Sequence, residues 1–418
     1  MADRSRSPWS PRIGGFLLAE TLSAIGTFAT MIAIWAYAAY RYDASPGEIA
    51  LYGIAFTLPG VFLGPISGVV IDRIGSRRVL VGAKALGVVA SLALIGAHSF
   101  GMLTLLSALH GVAGAFARPA LTSMPPRMVD DEHLARTNAL VGLTEQLSIV
   151  LGPVAAGIAI GAFGFKGAFV FDAATYALGI VVLPLVRLAP VVKAVDHAES
   201  LTTPWREAIA GWRIVAKTVV LRRVVMTTFV VHFLYGTALL AEPLYVRDVL
   251  ERSTTVFAGL QTVFGVFLVA GGLIAARVGD RMATFMWVVG GVVASGFSAL
   301  LYLGTGSLAV AVIGVSLWGV ATALIWGPAH TVLQRSSPPS AHGRVMATDM
   351  LVANSAMFLG LGLAGVLIGA FGVPRTISGV ALFVIGSGVA LALADRRDHR
   401  SIEMPEMDSV GRRVEARQ

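Results

Sequence analysis

The chain has 418 residues, 56% of them hydrophobic and 13% charged, with a formal net charge of +8 and no cysteine. Soluble domains carry about a quarter charged residues, so this composition excludes an ordinary soluble fold. The missing cysteine excludes disulfides, thiolate metal sites and cysteine nucleophiles, and the positive charges, confined to short loops beside apolar runs, form a topological pattern and not a nucleic-acid surface.

Apolar segments of spanning length predict an all-α membrane protein of twelve transmembrane helices. They lie near 13–40, 47–71, 79–98, 101–124, 138–163, 167–189, 223–247, 254–276, 284–304, 306–331, 344–371 and 373–394. Arg4, Arg6 and Arg12 precede the first, which is too long for a cleavable signal. An even number of spans puts both termini on one side. If that side is the cytoplasm, the outer loops hold only Arg41, Lys166, Arg247, Arg252 and Arg375 among the lysines and arginines, as the positive-inside rule requires. The expected location is the inner membrane.

In chain order, residues 1–189 form a first six-helix bundle and 190–222 a polar linker. A bundle over 223–394 and a charged, mobile cytoplasmic tail over 395–418 follow. The linker carries Lys193, Asp196, His197 and Glu199, then "WREAIAGWRIVAKTVV". There Trp205, Ile209, Trp212, Val215 and Val219 share one helical face and Arg206, Arg213 and Lys217 another. Such a helix either lies flat at the interface or simply links the bundles.

The halves repeat with an offset of 208 residues. Asp72-Arg73 falls on Asp280-Arg281, Arg136 on Arg344, Gly152 and Gly157 on Gly360 and Gly365, and "GAFG" at 161–164 on "GAFG" at 369–372. A six-plus-six repeat is the mark of a transporter with two pseudo-symmetric halves. Each half has an Asp-Arg turn after its second span and an arginine at the start of its fifth. Asp72 is therefore expected to meet the eleventh span near Arg344, and Asp280 the fifth near Arg136, latching the inside shut. Arg77 and Arg78 alone would suit a turn that merely fixes orientation.

Gly68-x-x-x-Asp72-Arg73-x-Gly75-x-Arg77 resembles the cytoplasmic loop motif of the major facilitator superfamily, with a degenerate second copy around Gly272, Asp280 and Arg281. "GPVAAG", with Gly152, Pro153 and Gly157, resembles the fifth-span motif of its antiporter branch, while also suiting tight helix packing. "PALTSMPPRMVDDEHLARTNAL" and "LQRSSPPSAHGRVMA" are similar to loops of the macrolide-efflux and enterobactin-exporter-like exporters. The resemblance implies the fold of that superfamily, a monomer, and a substrate cavity between spans 1, 4, 7 and 10. Tyr235 in span 7 and Trp318 and Trp326 in span 10 are candidate wall residues and equally suit bundle packing or interface anchoring. The sequence departs in the fourth span: proton-coupled drug exporters often carry an arginine four residues before a glycine, and Ser107 holds that place before Gly111.

Ionisable residues within a span are functional candidates, because burying them is costly. They are Glu20, Arg118, Glu145, Asp172, Glu242 and Asp349, with His110 and His232 near mid-span. By depth, Arg118 is expected to cluster with Glu20, Glu145 or both, either as a proton or cation site or as a fixed ion pair. Asp172 is expected nearer the outer face beside Lys166, and Glu242 at a bend before Pro243. The two histidines read as packing residues. No P-loop or histidine–carboxylate metal spacing occurs. The chain thus reads as no enzyme and without cofactor. It is expected to be an exporter of an amphipathic small molecule, drug-, macrolide- or siderophore-like, that exchanges it for protons. An importer or facilitator of the same fold, or a non-transporting receptor, are the alternatives. The expected partners are lipid, substrate and protons, with no nucleic acid.

Overall fold

The computed structural model describes residues 10–186, 188–189, 211–282, 284–338 and 341–403. These residues are helical almost throughout, with no strand among them. The first half contains α1 (Pro11–Arg41), α2 (Pro46–Ile74), α3 (Ser76–Leu94), α4 (Phe100–Thr122), the short α5 (Pro125–Met128) and the long α6 (Asp131–Val182). The second contains α7 (Val219–Leu244), α8 (Thr254–Val278), α9 (Phe285–Leu303), α10 (Leu308–Ser336), α11 (His342–Phe371) and α12 (Val373–Glu403). Ten stretches are long and apolar enough to cross a membrane. The predicted third span corresponds to α3, which carries Arg77, Arg78 and Lys84. The predicted fifth and sixth spans are the two limbs of α6, divided at Gly164.

Local chemistry sets the helix starts. Ser10 accepts from the Ile13 amide ahead of Pro11, and Ser45 with Glu48 forms a full capping box at α2. Gly164 and Gly372, the last residues of the two GAFG copies, have φ of +67° and +76°. This region is open to glycine and strained for other residues, so each copy encodes a reversal without a loop. The repeat therefore reproduces a backbone conformation as well as a sequence.

Packing follows the same symmetry. α2 lies on α4 as α8 lies on α10, and α3 on α4 as α9 lies on α10. Between the halves, α2 packs on α11 and α6 on α8. Large apolar side chains such as Leu105, Phe163 and Val366 point outward, which suits a lipid-facing surface.

The seam is closed at one end. A Cβ on Gly365 would stand 2.9 Å from the Ala50 Cβ, and one on Gly157 3.3 Å from the Ala258 Cβ. Arg247, at the end of α7, donates to the Ala39 and Ala44 carbonyls and pairs with Asp43 at 3.0 Å, while the Tyr40 hydroxyl donates to the Arg252 carbonyl at 3.0 Å. At the opposite end, which carries the α2–α3 turn, a Cβ on Gly64, Gly68, Gly142, Gly272 or Gly343 would meet nothing within 4 Å. The halves gape there.

Two expectations change. The last helix continues past residue 394 to Glu403, held by an Arg223–Asp395 ion pair of 2.7 Å. In the linker, residues 211–217 are helical and pack on α11: a Cβ on Gly211 would lie 2.5 Å from the Arg344 carbonyl oxygen. Val215 is buried and Trp212 exposed. Trp205, Arg206 and Ile209 lie outside the described residues, as do 190–204 and the tail from 404.

Candidate functional site

The most concentrated buried polar chemistry lies inside the first half, where α1, α3, α4 and the second limb of α6 meet. Helical spacing brings it together. Glu20, Ser23 and Thr27 share one face of α1, Lys84, Gly87 and Ser91 one face of α3, and Asp172, Tyr176 and Gly179 one face of α6. His110 comes from α4.

Lys84 Nζ stands 3.1 Å from Glu20 Oε2 and donates to Ser23 Oγ at 3.1 Å. It also lies 5.5 Å from the centre of the Tyr176 ring. Asp172 Oδ2 accepts from Ser91 Oγ at 2.7 Å and stands 3.2 Å from His110 Nε2. The Thr27 hydroxyl lies 3.0 Å from the Tyr176 hydroxyl and 3.4 Å from Asp172 Oδ1. Glu20, Lys84, His110 and Asp172 are each at most 5% exposed. Two glycines make room: a Cβ on Gly26 would stand 2.6 Å from Thr175 Oγ1, and one on Gly179 2.9 Å from Lys84 Nζ. Two carboxylates, one ammonium and one imidazole thus share a site closed to water. If both acids ionise, one carboxylate lacks a counter-charge, a costly arrangement in a medium of low dielectric.

Arg118 meets Glu145 in a two-pronged pair, Nε to Oε1 at 2.8 Å and Nη2 to Oε2 at 3.0 Å. Glu20 is not part of it, because its face of α1 turns toward α3. The Arg118 and Glu145 side chains are 61% and 43% exposed, against the expectation of a buried cluster. Asp172 is fully buried and faces the core, not an interface beside Lys166. His110 lies within the cluster and is not simply packing. Lys84 escaped the sequence reading altogether. Its signal was a lone lysine inside an apolar segment, with small or polar residues three and seven positions on.

The second half brings together the three aromatic residues expected at a cavity wall. Tyr235 stacks on Trp318 at 5.8 Å, faces Trp326 edge-on at 6.3 Å, and its hydroxyl lies 2.8 Å from Thr322 Oγ1. Glu242 accepts from Gln261 and forms no ion pair among the described residues. Asp349 is buried, its Oδ1 without a hydrogen-bond partner among the described residues, and His232 Nδ1 lies 2.8 Å from the Thr228 carbonyl oxygen.

At the gaping end, Asp72, Arg73 and Arg78 are exposed, and Asp72 forms no ion pair among the described residues. Arg281 is exposed, and the Asp280 side chain lies outside the described set. Gly75 ends α2 with φ of +90°. Arg77 donates to the Val186 carbonyl, and Arg127 donates to Ala189 O at 2.9 and 3.1 Å and to Ser76 Oγ at 3.2 Å. These two arginines pin the chain as it leaves the first half, and Arg127 was not among the sequence candidates. In the fifth-span motif, Gly152 packs against Phe28 of α1, Pro153 sits within α6, and Gly157 faces α8.

Comparison with known proteins places this arrangement. Over 401 residues the chain is 28% identical to the uncharacterised MFS-type transporter y4rN of Sinorhizobium fredii, covering 92% of this chain and 93% of that one. Over 403 residues it is 26% identical to the multidrug efflux pump Tap of Mycobacterium tuberculosis, covering 91% and 93%. Among solved structures, a bacterial homologue of the human lysosomal transporter Spinster, in an inward-facing and unoccupied conformation, superimposes with a TM-score of 0.71 at 15% identity, covering 94% of this chain and 98% of that one. The family model of the Major Facilitator Superfamily matches residues 16–361 and 224–407. With a twelve-limb helical fold, a two-fold repeat and this match along nearly its whole length, the chain is a membrane transporter belonging to the major facilitator superfamily.

Proposed function

We propose that the protein exports an amphipathic small molecule in exchange for protons, by alternating access. The observation that carries the reading is the Glu20–Lys84–Asp172–His110 cluster. Its second carboxylate, Asp172, directly touches neutral hydroxyl donors and an imidazole, while the one ammonium pairs with Glu20, so one added proton balances the charge of the site. Ser107, at the place of the exporters' arginine, donates to the Leu103 carbonyl. Lys84 on α3 takes over as the buried cation. Similarity to an efflux pump supports the outward direction, and the Tyr235–Trp318–Trp326 group suits an apolar, partly aromatic substrate.

In this reading the protein is an inner-membrane monomer with the gaping end and both termini in the cytoplasm. The far end is shut by the Arg247 contacts and the α2–α11 and α6–α8 seams. In the opposite state the motif residues close the inside, Asp72 against α11 at Arg344 and Asp280 against α6 at Arg136. The exposed Arg118–Glu145 pair lies on the cytoplasmic side of the same half.

The test is uptake of dyes and drugs into energised inside-out vesicles, with and without a protonophore. Uptake that collapses with the protonophore and fails in Asp172→Asn supports the reading. Uptake indifferent to both removes proton coupling and leaves facilitation. Substrate accumulation in right-side-out vesicles would reverse the direction to import.

A further inference from the structure

A crevice of about 440 Å³ opens on the lipid-facing side of the second half, between α7, α11 and α12. Its walls are apolar: Phe233, Leu363, Phe371 and Phe383. It runs from Phe371, at the closed end of the seam, down to Leu363 two turns below, about 12 Å along the helix axis. Phe233 and Phe383 lie at a similar depth. A bilayer's hydrocarbon core is about 30 Å thick, so the crevice matches the depth of one leaflet.

The upper rim is polar. Arg375 is exposed and forms no ion pair among the described residues. Thr376, next to it, is 5% exposed, lines the crevice, and its Oγ1 has no hydrogen-bond partner among the described residues. An orphaned buried hydroxyl costs free energy unless something satisfies it. Both residues stand in the first turn of α12, where the helix dipole favours negative charge. We propose that this crevice binds an anionic phospholipid. One acyl chain lies along Phe371, Leu363, Phe383 and Phe233, the phosphate pairs with Arg375, and a phosphate or ester oxygen accepts from Thr376. A lipid has both the acceptor oxygens and the apolar length that the two ends of the crevice demand. The site is separate from the buried cluster of the first half and does not depend on which substrate is carried.

Native mass spectrometry of the detergent-solubilised protein, titrated with phosphatidylglycerol or with phosphatidylcholine of the same chains, tests this. One arginine at a membrane surface is worth about 1 kcal/mol toward an anionic lipid. Arg375→Gln is therefore expected to weaken the first phosphatidylglycerol about five-fold and to leave phosphatidylcholine unchanged. Thr376→Val is expected to weaken both lipids. Gly379→Phe, which places a ring in the crevice where a Cβ meets nothing within 4 Å, is expected to remove the first site for either lipid while leaving the melting temperature in place. Equal phosphatidylglycerol affinity in the wild type, Arg375→Gln and Gly379→Phe would overturn the proposal. So would displacement of the lipid by glycerophosphate alone, since the site would then recognise a free phosphate.

Discussion

Lys84 and Glu20 meet 3.1 Å apart, Nζ to Oε2, on facing sides of α3 and α1, with 2% and 5% of their side chains exposed. Each makes the other's burial tolerable. Removing one partner of such a pair strands the other and costs about 3–5 kcal/mol, while replacing both by apolar or neutral groups is often nearly neutral. Lys84→Met is therefore expected to lower thermal stability in detergent sharply. The Glu20→Gln/Lys84→Met double variant is expected to recover much of that loss. Losses that simply add would show that the two residues do not depend on each other.

The Arg118–Glu145 pair has better geometry and much less effect on stability. Arg118 is largely exposed and Glu145 partly so, and exposed pairs are worth about 0–1 kcal/mol. Arg118→Ala and Glu145→Gln are expected to shift the melting temperature little. A large shift in either would mean that neighbouring helices or lipid enclose the pair.

Gly26 is a steric requirement. Its Cβ would stand 2.6 Å from Thr175 Oγ1, inside any real contact distance, and 3.1 Å from the Asp172 Cα, tighter than most real contacts, and helix backbones do not yield as a flexible side chain does. Gly26→Val is expected to push α1 off α6 and to abolish both folding yield and transport, read by size-exclusion profile and vesicle uptake. Gly14→Ala, on the same helix and facing open space, should do neither.

The absence of native cysteine makes the closed seam directly testable. The Cβ positions of residues 157 and 258 are 3.3 Å apart, close to the separation that a disulfide spans. Gly157→Cys with Ala258→Cys is expected to cross-link under mild oxidation, seen as a mobility shift, and to stop transport until reductant is added. Transport that continues in the oxidised protein would show that α6 and α8 need not part during the cycle.

The helices and their repeat were legible in the sequence because lipid imposes a simple rule: long apolar segments must be helical, since no water satisfies an open backbone. The site was less legible. Depth along a span was readable and put Arg118 near Glu145 correctly, but rotation about each helix was not. Glu20 has the right depth for Arg118 and faces the wrong way. Asp172 was drawn toward Lys166 by nearness in sequence, yet six residues along a helix point to different sides. Lys84 was hidden by its own shape, as four methylenes let it pass for part of an apolar run while the ammonium reaches α1. The three-and-seven spacing of small or polar residues on α1 and α3, and the four-and-seven spacing of Asp172, Tyr176 and Gly179 on α6, were the readable trace of the cluster, visible only when the three segments are compared.

The loopless reversal at Gly164 also has a mechanical meaning. One limb of α6 carries Gly157 against the opposite half, and the other carries Asp172 in the buried cluster. With a single glycine between them there is little slack to absorb a displacement. Were the α6–α8 seam to part, the two limbs would move as a bent lever about Gly164, and the displacement would reach Asp172 through the backbone itself. A longer, glycine-rich insertion at the elbow would act as a clutch, letting the seam move while Asp172 stays still.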